Sequence, residues 1–293
     1  MKKILLSALI CLMALGANAQ TPKGHLVIIG GGKCTPEILD TFIGLAGGKD
    51  AKFLVITSAG HRHKGVVTCE KDGNKFVGMM NGRGVTDIRW IDPDRDECND
   101  AEYVAEQLRG VTGVFFTGGI QASIIKRVRG TLMHTALTNM YENEGIVIGG
   151  TSAGAAMMPD PMLATSKPRV VDGVKDKSVA YIAPGMAKIS PGMGFLKNAI
   201  LDQHFVKRSR HNRMLSTALD MPQVTTFGID ESTAMVVSDG CNVRIVGESS
   251  VTVVEVEASA IKTDKNGNYG CSGMTVRMLL DGDTYTIVDK STK

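Results

Sequence analysis

After its first fifteen residues the chain has no apolar run approaching the roughly 20 residues that a membrane-spanning helix needs, so stable membrane insertion is not expected. Charge of one sign is not in excess either: 33 Lys and Arg stand against 30 Asp and Glu with no long charged block, and a polyanion-binding surface, hence a nucleic-acid partner, is not indicated. The six cysteines form no CxxC pair, which argues against a zinc site built from them. Tryptophan occurs once, and proline-rich linkers, low-complexity tracts and internal repeats are missing. With 43% hydrophobic residues over 293 positions, the chain can bury a sizeable core, and disorder is not expected.

The first twenty residues, MKKILLSALICLMALGANAQ, place Lys2 and Lys3 before an apolar run from Ile4 to Leu15 and end on Ala17-Asn18-Ala19. That is the layout of a secretory signal peptide spanning 1–19, with cleavage expected after Ala19 and export to the periplasm or the medium. Cleavage would take Lys and Arg from 33 to 31, lowering the formal charge from +3 to +1, and would remove Cys11. Cys34, Cys69, Cys98, Cys241 and Cys271 stay, with pairing open.

The remainder, 20–293, reads as one domain. HLVIIGGG (25–32), KFLVITSAG (52–60), DIRWID (87–92), GVFFTGG (113–119) and GIVIGGTSAG (145–154) are short apolar runs ending in glycine or small polar residues, as buried parallel strands do. Helix signals lie between them. Thr35-Pro36-Glu37 reads as an N-cap with proline at the first helical position, and AEYVAEQLRG (101–110) has helical spacing closed by glycine. After about residue 224 the pattern changes to alternating, turn-punctuated strands. The expected fold is therefore α/β, a doubly wound, mainly parallel sheet flanked by helices and extended by antiparallel C-terminal strands.

Chemistry in such a sheet collects at the carboxyl ends of the strands. Ser152, in GGTSAGA, sits at such an end, between small residues that can hold it on a sharp strand-to-helix turn. The letters only approximate GxSxG, no Lys-Ser or Lys-Thr closes a phosphate loop, and GGTSAG (149–154) alone reads best as a packing corner. GGGKCT (30–35) lacks the third glycine of a dinucleotide fingerprint, leaving tight-turn packing as its reading. His61 and His63 have no ligand-spaced companions, and neither a metal nor a cofactor is implied. His204 stands out because Lys207, Arg208, Arg210 and Arg213 follow it, a base beside groups that hold carboxylates in bidentate fashion.

Taken together, TGGIQ (117–121), GGTSAGAAMM (149–158), GMGFL (192–196), DQHF (202–205) with its trailing arginines and GIDESTAMVV (228–237) resemble cyanophycinase, a serine exopeptidase family related to aspartyl dipeptidases. The resemblance runs from about 25 to 240. It implies Ser152 as nucleophile and His204 as base, with Gln121, Asp202, Gln203, Arg208, Arg210 and Arg213 lining a pocket for peptide or polymer rich in Asp and Arg. The amides of Ala153 and of Gly119 or Ile120 would form the oxyanion hole. The family's third triad member lies between nucleophile and histidine, where this chain has a longer loop (162–185); Asp172 is the first candidate acid there and Asp176 the second. Without an orienting acid, a degenerate relative that binds acidic peptides is the alternative. A homodimer is left open.

Overall fold

A computed structural model describes residues 21–290, except 61, 64–65, 167–168, 172–173 and 177–180. The expected crossovers are present: β1 (His25–Ile29), α1 (Pro36–Leu45), β2 (Phe53–Ile56), α2 (Thr68–Asn81), β3 (Ile88–Ile91), α3 (Ala101–Leu108), β4 (Gly113–Phe116), α4 (Gln121–Val128), α5 (Leu132–Asn139) and β5 (Val147–Thr151). The local signals act as read. Thr35 accepts a hydrogen bond from the Ile38 amide at the start of α1, and Asp100 accepts one from Tyr103 at the start of α3.

β5 leads into the single turn α6 (Ala153–Ala156). Beyond it come β6 (Ala199–Gln203), α7 (His211–Asp220), β7 (Thr225–Ile229), β8 (Thr233–Ser238), β9 (Asn242–Gly247), β10 (Val251–Val256), β11 (Met274–Leu279) and β12 (Thr284–Thr286). The eight-stranded sheet has the order β12-β9-β8-β1-β5-β4-β2-β3. Its β1, β5, β4, β2 and β3 are parallel, while β8, β9 and β12 extend it in antiparallel fashion.

Not all C-terminal strands join that sheet. β6 and β7 pair in parallel, β10 adds antiparallel to β7 and β11 antiparallel to β10, which makes a second, four-stranded sheet. The β6 strand, AILDQ, was not anticipated; it carries the histidine segment.

Alternation along β1 shows why the central strands read as continuous apolar runs. Leu26 and Ile28 enter one core with Phe116, Ile148 and the α3–α5 residues Leu108, Ile124 and Leu137. Val27 and Ile29 enter the other, with Ile38, Phe42, Phe76 and Phe115 from the opposite layer. A strand covered on both faces has no polar face to alternate with. Each fully buried side chain of this kind contributes about 1.5–3 kcal/mol. The described cysteines are all free thiols, and burial pushes those of Cys69 and Cys98 up to about 11. No described helix is long and apolar enough to cross a membrane.

Candidate active site

The carboxyl end of β1 is the frame on which the site is hung. Three successive carbonyls accept hydrogen bonds from three separate segments: Ile29 from the Ser152 amide (3.0 Å), Gly30 from the His204 amide (2.7 Å) and Gly31 from the Ser232 amide (2.8 Å). The chain after β5, the chain after β6 and the loop between β7 and β8 are thereby brought within side-chain reach of one another. GGGKCT therefore does pack tightly, and what it packs under is the imidazole. Gly31 has φ +112°, and a Cβ there would stand 2.2 Å from His204 Cε1, so any side chain at this position is strained and must displace the imidazole.

Ser152 takes φ 53° and ψ −108°, a conformation that costs about 1–3 kcal/mol and persists only where its surroundings impose it. Those surroundings are close. A Cβ on Gly154 would lie 2.2 Å from the Phe116 carbonyl oxygen, so α6 can seat against β4 only with glycine at that position. The strained turn lifts the side chain off the sheet end, and Ser152 Oγ lies 2.8 Å from His204 Nε2. His204 also has positive φ, 49°, immediately after β6.

On the other side of the ring, His204 Nδ1 lies 2.6 Å from Glu231 Oε1. An ionised carboxylate can only accept, so Nδ1 carries the proton and Nε2 is left with a lone pair facing the serine hydroxyl. Burial lowers the His204 pKa from its usual 6.5; the Glu231 hydrogen bond opposes the shift, and the Arg208 and Arg210 charges add to it. The imidazole is neutral at pH 7 and can accept a proton.

Glu231 replaces Asp172 as the partner of His204. Asp172 lies outside the described residues, and Asp176 ends a short ribbon, Val174–Asp176 against Arg169–Val171. The acid comes instead from the turn after β7, beyond the histidine in sequence. Its neighbour Asp230 fixes the same corner, with Oδ1 accepting from the Lys207 amide and Oδ2 from the Ser249 hydroxyl. One signal was available: Glu231 is an acid at the carboxyl end of a strand, inside the GIDESTAMVV segment, where an α/β sheet gathers its chemistry.

The expected substrate residues fare differently. Asp202 is fully buried and forms ion pairs with Arg210 and Arg213; Arg213 Nε lies 2.6 Å from it. Arg213, itself only 9% exposed, is committed to that pair and does not line the pocket. Arg210 Nη1 also donates to the Gln203 side chain at 2.8 Å, which occupies both. The buried Asp202 carboxylate requires this cover, because leaving it unpaired would be costly. Gln121, first in α4, donates to the Ala164 carbonyl at 2.8 Å. Arg208 is exposed and near enough to depress His204 protonation.

Ser152 and His204 open onto a cavity of about 550 Å³ that Gly118 and Gly119 also line. The Ile120 amide donates to the Ala59 carbonyl at 2.8 Å, which leaves Gly119 as the partner of Ala153 for a developing oxyanion. Of HRH, His61 lies outside the described residues; among those described, no group of three or more His, Cys, Asp or Glu is placed to hold a metal ion.

Known proteins resemble this chain in sequence and in fold. The model of peptidase family S51 matches residues 26–245. The cyanophycinase of Geminocystis herdmanii is 30% identical over 243 residues, covering 82% of this chain and 83% of its own. That of Synechococcus elongatus is 30% identical over 274 residues, covering 90% and 80%. In fold, the chain superposes on a peptidase from an acI-B1 Actinobacterium with a TM-score of 0.63 at 18% identity, covering 91% of this chain and 98% of that one. The chain belongs to peptidase family S51 and is a serine-type peptidase similar to the cyanophycinases.

Proposed function

We propose that Ser152, His204 and Glu231 form the catalytic triad of an exported enzyme that hydrolyses aspartate-rich peptides or polymer through an acyl-enzyme. The observation that carries this reading is the unbroken line from Ser152 Oγ to His204 Nε2 at 2.8 Å and from His204 Nδ1 to Glu231 Oε1 at 2.6 Å. As Ser152 Oγ bonds to the substrate carbonyl carbon, its proton passes to Nε2, and the imidazolium is stabilised by Glu231. The Gly119 and Ala153 amides would bind the oxyanion. Nε2 then protonates the departing amine as the C–N bond breaks. Water, deprotonated by the same nitrogen, releases the acid and restores the serine.

The aspartyl substrate is supported by the likeness to proteins named cyanophycinase, and export by the N-terminal pattern. The reading as a binding protein without catalysis was motivated by a loop lacking an acid; with Glu231 at the ring, that motive falls away. Incubating the purified protein with cyanophycin and with synthetic aspartyl peptides, and measuring release of new amino termini, tests the proposal. Release abolished by Ser152→Ala is expected; equal release by that variant refutes it.

A further inference from the structure

The segment GMGFL (192–196) has no part in the chemistry above, and none of its residues lines the cavity at Ser152. It lies against the exit of the turn that carries the nucleophile. The Met193 and Leu196 amides donate to the Met157 and Met158 carbonyls at 2.7 and 3.2 Å, satisfying groups that a single helical turn leaves open at its carboxyl end. A Cβ on Gly192 would run into the Pro159 carbonyl oxygen, so any side chain there would push the two segments apart.

The corner between α4 and α5 holds GMGFL in place. Arg129 Nε donates to the Gly192 carbonyl at 2.6 Å and its Nη2 lies 2.8 Å from Asp160 Oδ2, while Asp160 Oδ1 accepts from the Gly192 amide at 3.1 Å. His134, in the first turn of α5, accepts from the Gly130 amide at Nδ1 (3.1 Å). The ring proton therefore sits on Nε2, which donates it to the Met193 carbonyl at 2.8 Å. Both bonds need the neutral ring. Burial lowers the His134 pKa from its usual 6.5; the Met193 carbonyl and Asp160 oppose the shift, and the Arg129 charge adds to it. The ring also meets Phe195 edge-on, with centroids 5.8 Å apart.

These contacts close a circuit of short, stiff parts. α4 begins at Gln121, just after Gly119 and Ile120, and ends at Val128, one residue before Arg129; α6 begins at Ala153 and leads into Met157 and Met158. The two amides assigned to the oxyanion, those of Gly119 and Ala153, thus stand at the near ends of two helices whose far ends are tied together through Arg129, His134 and GMGFL. Such donors lower a barrier by being fixed in advance where the charge develops.

We infer that His134 and Arg129 are positioning residues: by holding GMGFL against the exit of α6 they set the spacing of the Gly119 and Ala153 amides, and their loss slows turnover without weakening substrate binding. The inference rests on the serine-peptidase reading and adds to it two residues outside both the triad and the cavity.

The test uses the full-length protein with His134→Phe, His134→Gln and Arg129→Gln. Phenylalanine keeps a ring against Phe195 and removes both hydrogen bonds, whereas glutamine keeps an N–H donor for the Met193 carbonyl. Labelling with a fluorophosphonate to completion, read by intact mass, counts the competent serines in each preparation. Hydrolysis of an aspartyl peptide is then expressed per competent serine. In His134→Phe and Arg129→Gln, kcat should fall about 10- to 100-fold with KM within about twofold of wild type, and His134→Gln should recover most of the loss. The labelling rate should fall in parallel, because the phosphonyl oxygen occupies the same hole, and it is read in place of kcat if the peptide is not cleaved. Arg129, whose side chain is 39% exposed, keeps the test decisive should His134→Phe fail to fold. Unchanged turnover per competent serine, equal losses in His134→Phe and His134→Gln, or an effect confined to KM overturns the inference and leaves the serine chemistry standing. A wild-type serine that takes no label removes both.

Discussion

Replacing Glu231 by glutamine changes one oxygen to an amide nitrogen and so tests the triad acid with little change of shape. The carboxylate accepts from Nδ1 at 2.6 Å; an amide presenting its NH₂ there would donate instead and drive the imidazole proton to Nε2. Nε2 then faces Ser152 Oγ, 2.8 Å away, with a hydrogen where a lone pair is needed. The equivalent change in a well-studied triad lowers kcat about 10⁴-fold, so kcat/KM should fall by about 10³ to 10⁴, or roughly 4–5.5 kcal/mol of transition-state stabilisation. Stability should scarcely change, because the Glu231 side chain is 28% exposed and its corner is held by backbone bonds and by Asp230. The melting temperature should move by no more than about 2–4 °C, the shift that roughly 1 kcal/mol produces in a domain approaching this size. Steady-state hydrolysis of an aspartyl peptide and a thermal melt on the same preparation give both numbers. Wild-type kcat/KM in Glu231→Gln, or an equal loss in Asp172→Asn, would refute the assignment.

Three other perturbations follow from the same geometry. The base form of His204 exists above its pKa, which lies below the usual 6.5, so kcat/KM should climb with a midpoint below that value and stay level through neutrality. Removing a cation in Arg208→Gln should move the midpoint up and removing the anion in Glu231→Gln should move it down; pH–rate profiles showing the opposite order contradict the electrostatics. Arg213→Met strips the fully buried Asp202 of its two-pronged partner and should cost about 3 kcal/mol by urea denaturation, the low end for a broken buried pair because Arg210 remains; a change under about 1 kcal/mol would show Asp202 is otherwise satisfied. Gly31→Ala forces a methyl to 2.2 Å from His204 Cε1, and a shift of the ring by about 1 Å should cost on the order of 10²-fold in kcat/KM, read as turnover by folded protein; full turnover would mean the turn is not the ring's support.

How far the sequence foretells this site depends on whether the controlling forces are local. The parallel strands were readable because burial on both faces leaves an unbroken apolar run, and α1 and α3 because their caps act within three residues. Ser152 was readable because its strain demands small neighbours at fixed positions next to it. Glu231 was not, since it reaches His204 from 27 residues away and only the pairing of β6 with β7 brings the two turns together. Arg210 and Arg213 misled for a similar reason: their sequence position beside His204 suits a carboxylate, but the carboxylate they meet is the chain's own Asp202.

The account as a whole turns on whether Ser152 is activated by His204. Intact-mass spectrometry of the folded protein after treatment with a fluorophosphonate, followed by peptide mapping, measures this directly. One adduct is expected, located on Ser152, and it should be lost in His204→Ala, whose serine has no base 2.8 Å away to take its proton. An unmodified Ser152 in folded wild-type protein, or an adduct forming equally fast in His204→Ala, would contradict the account.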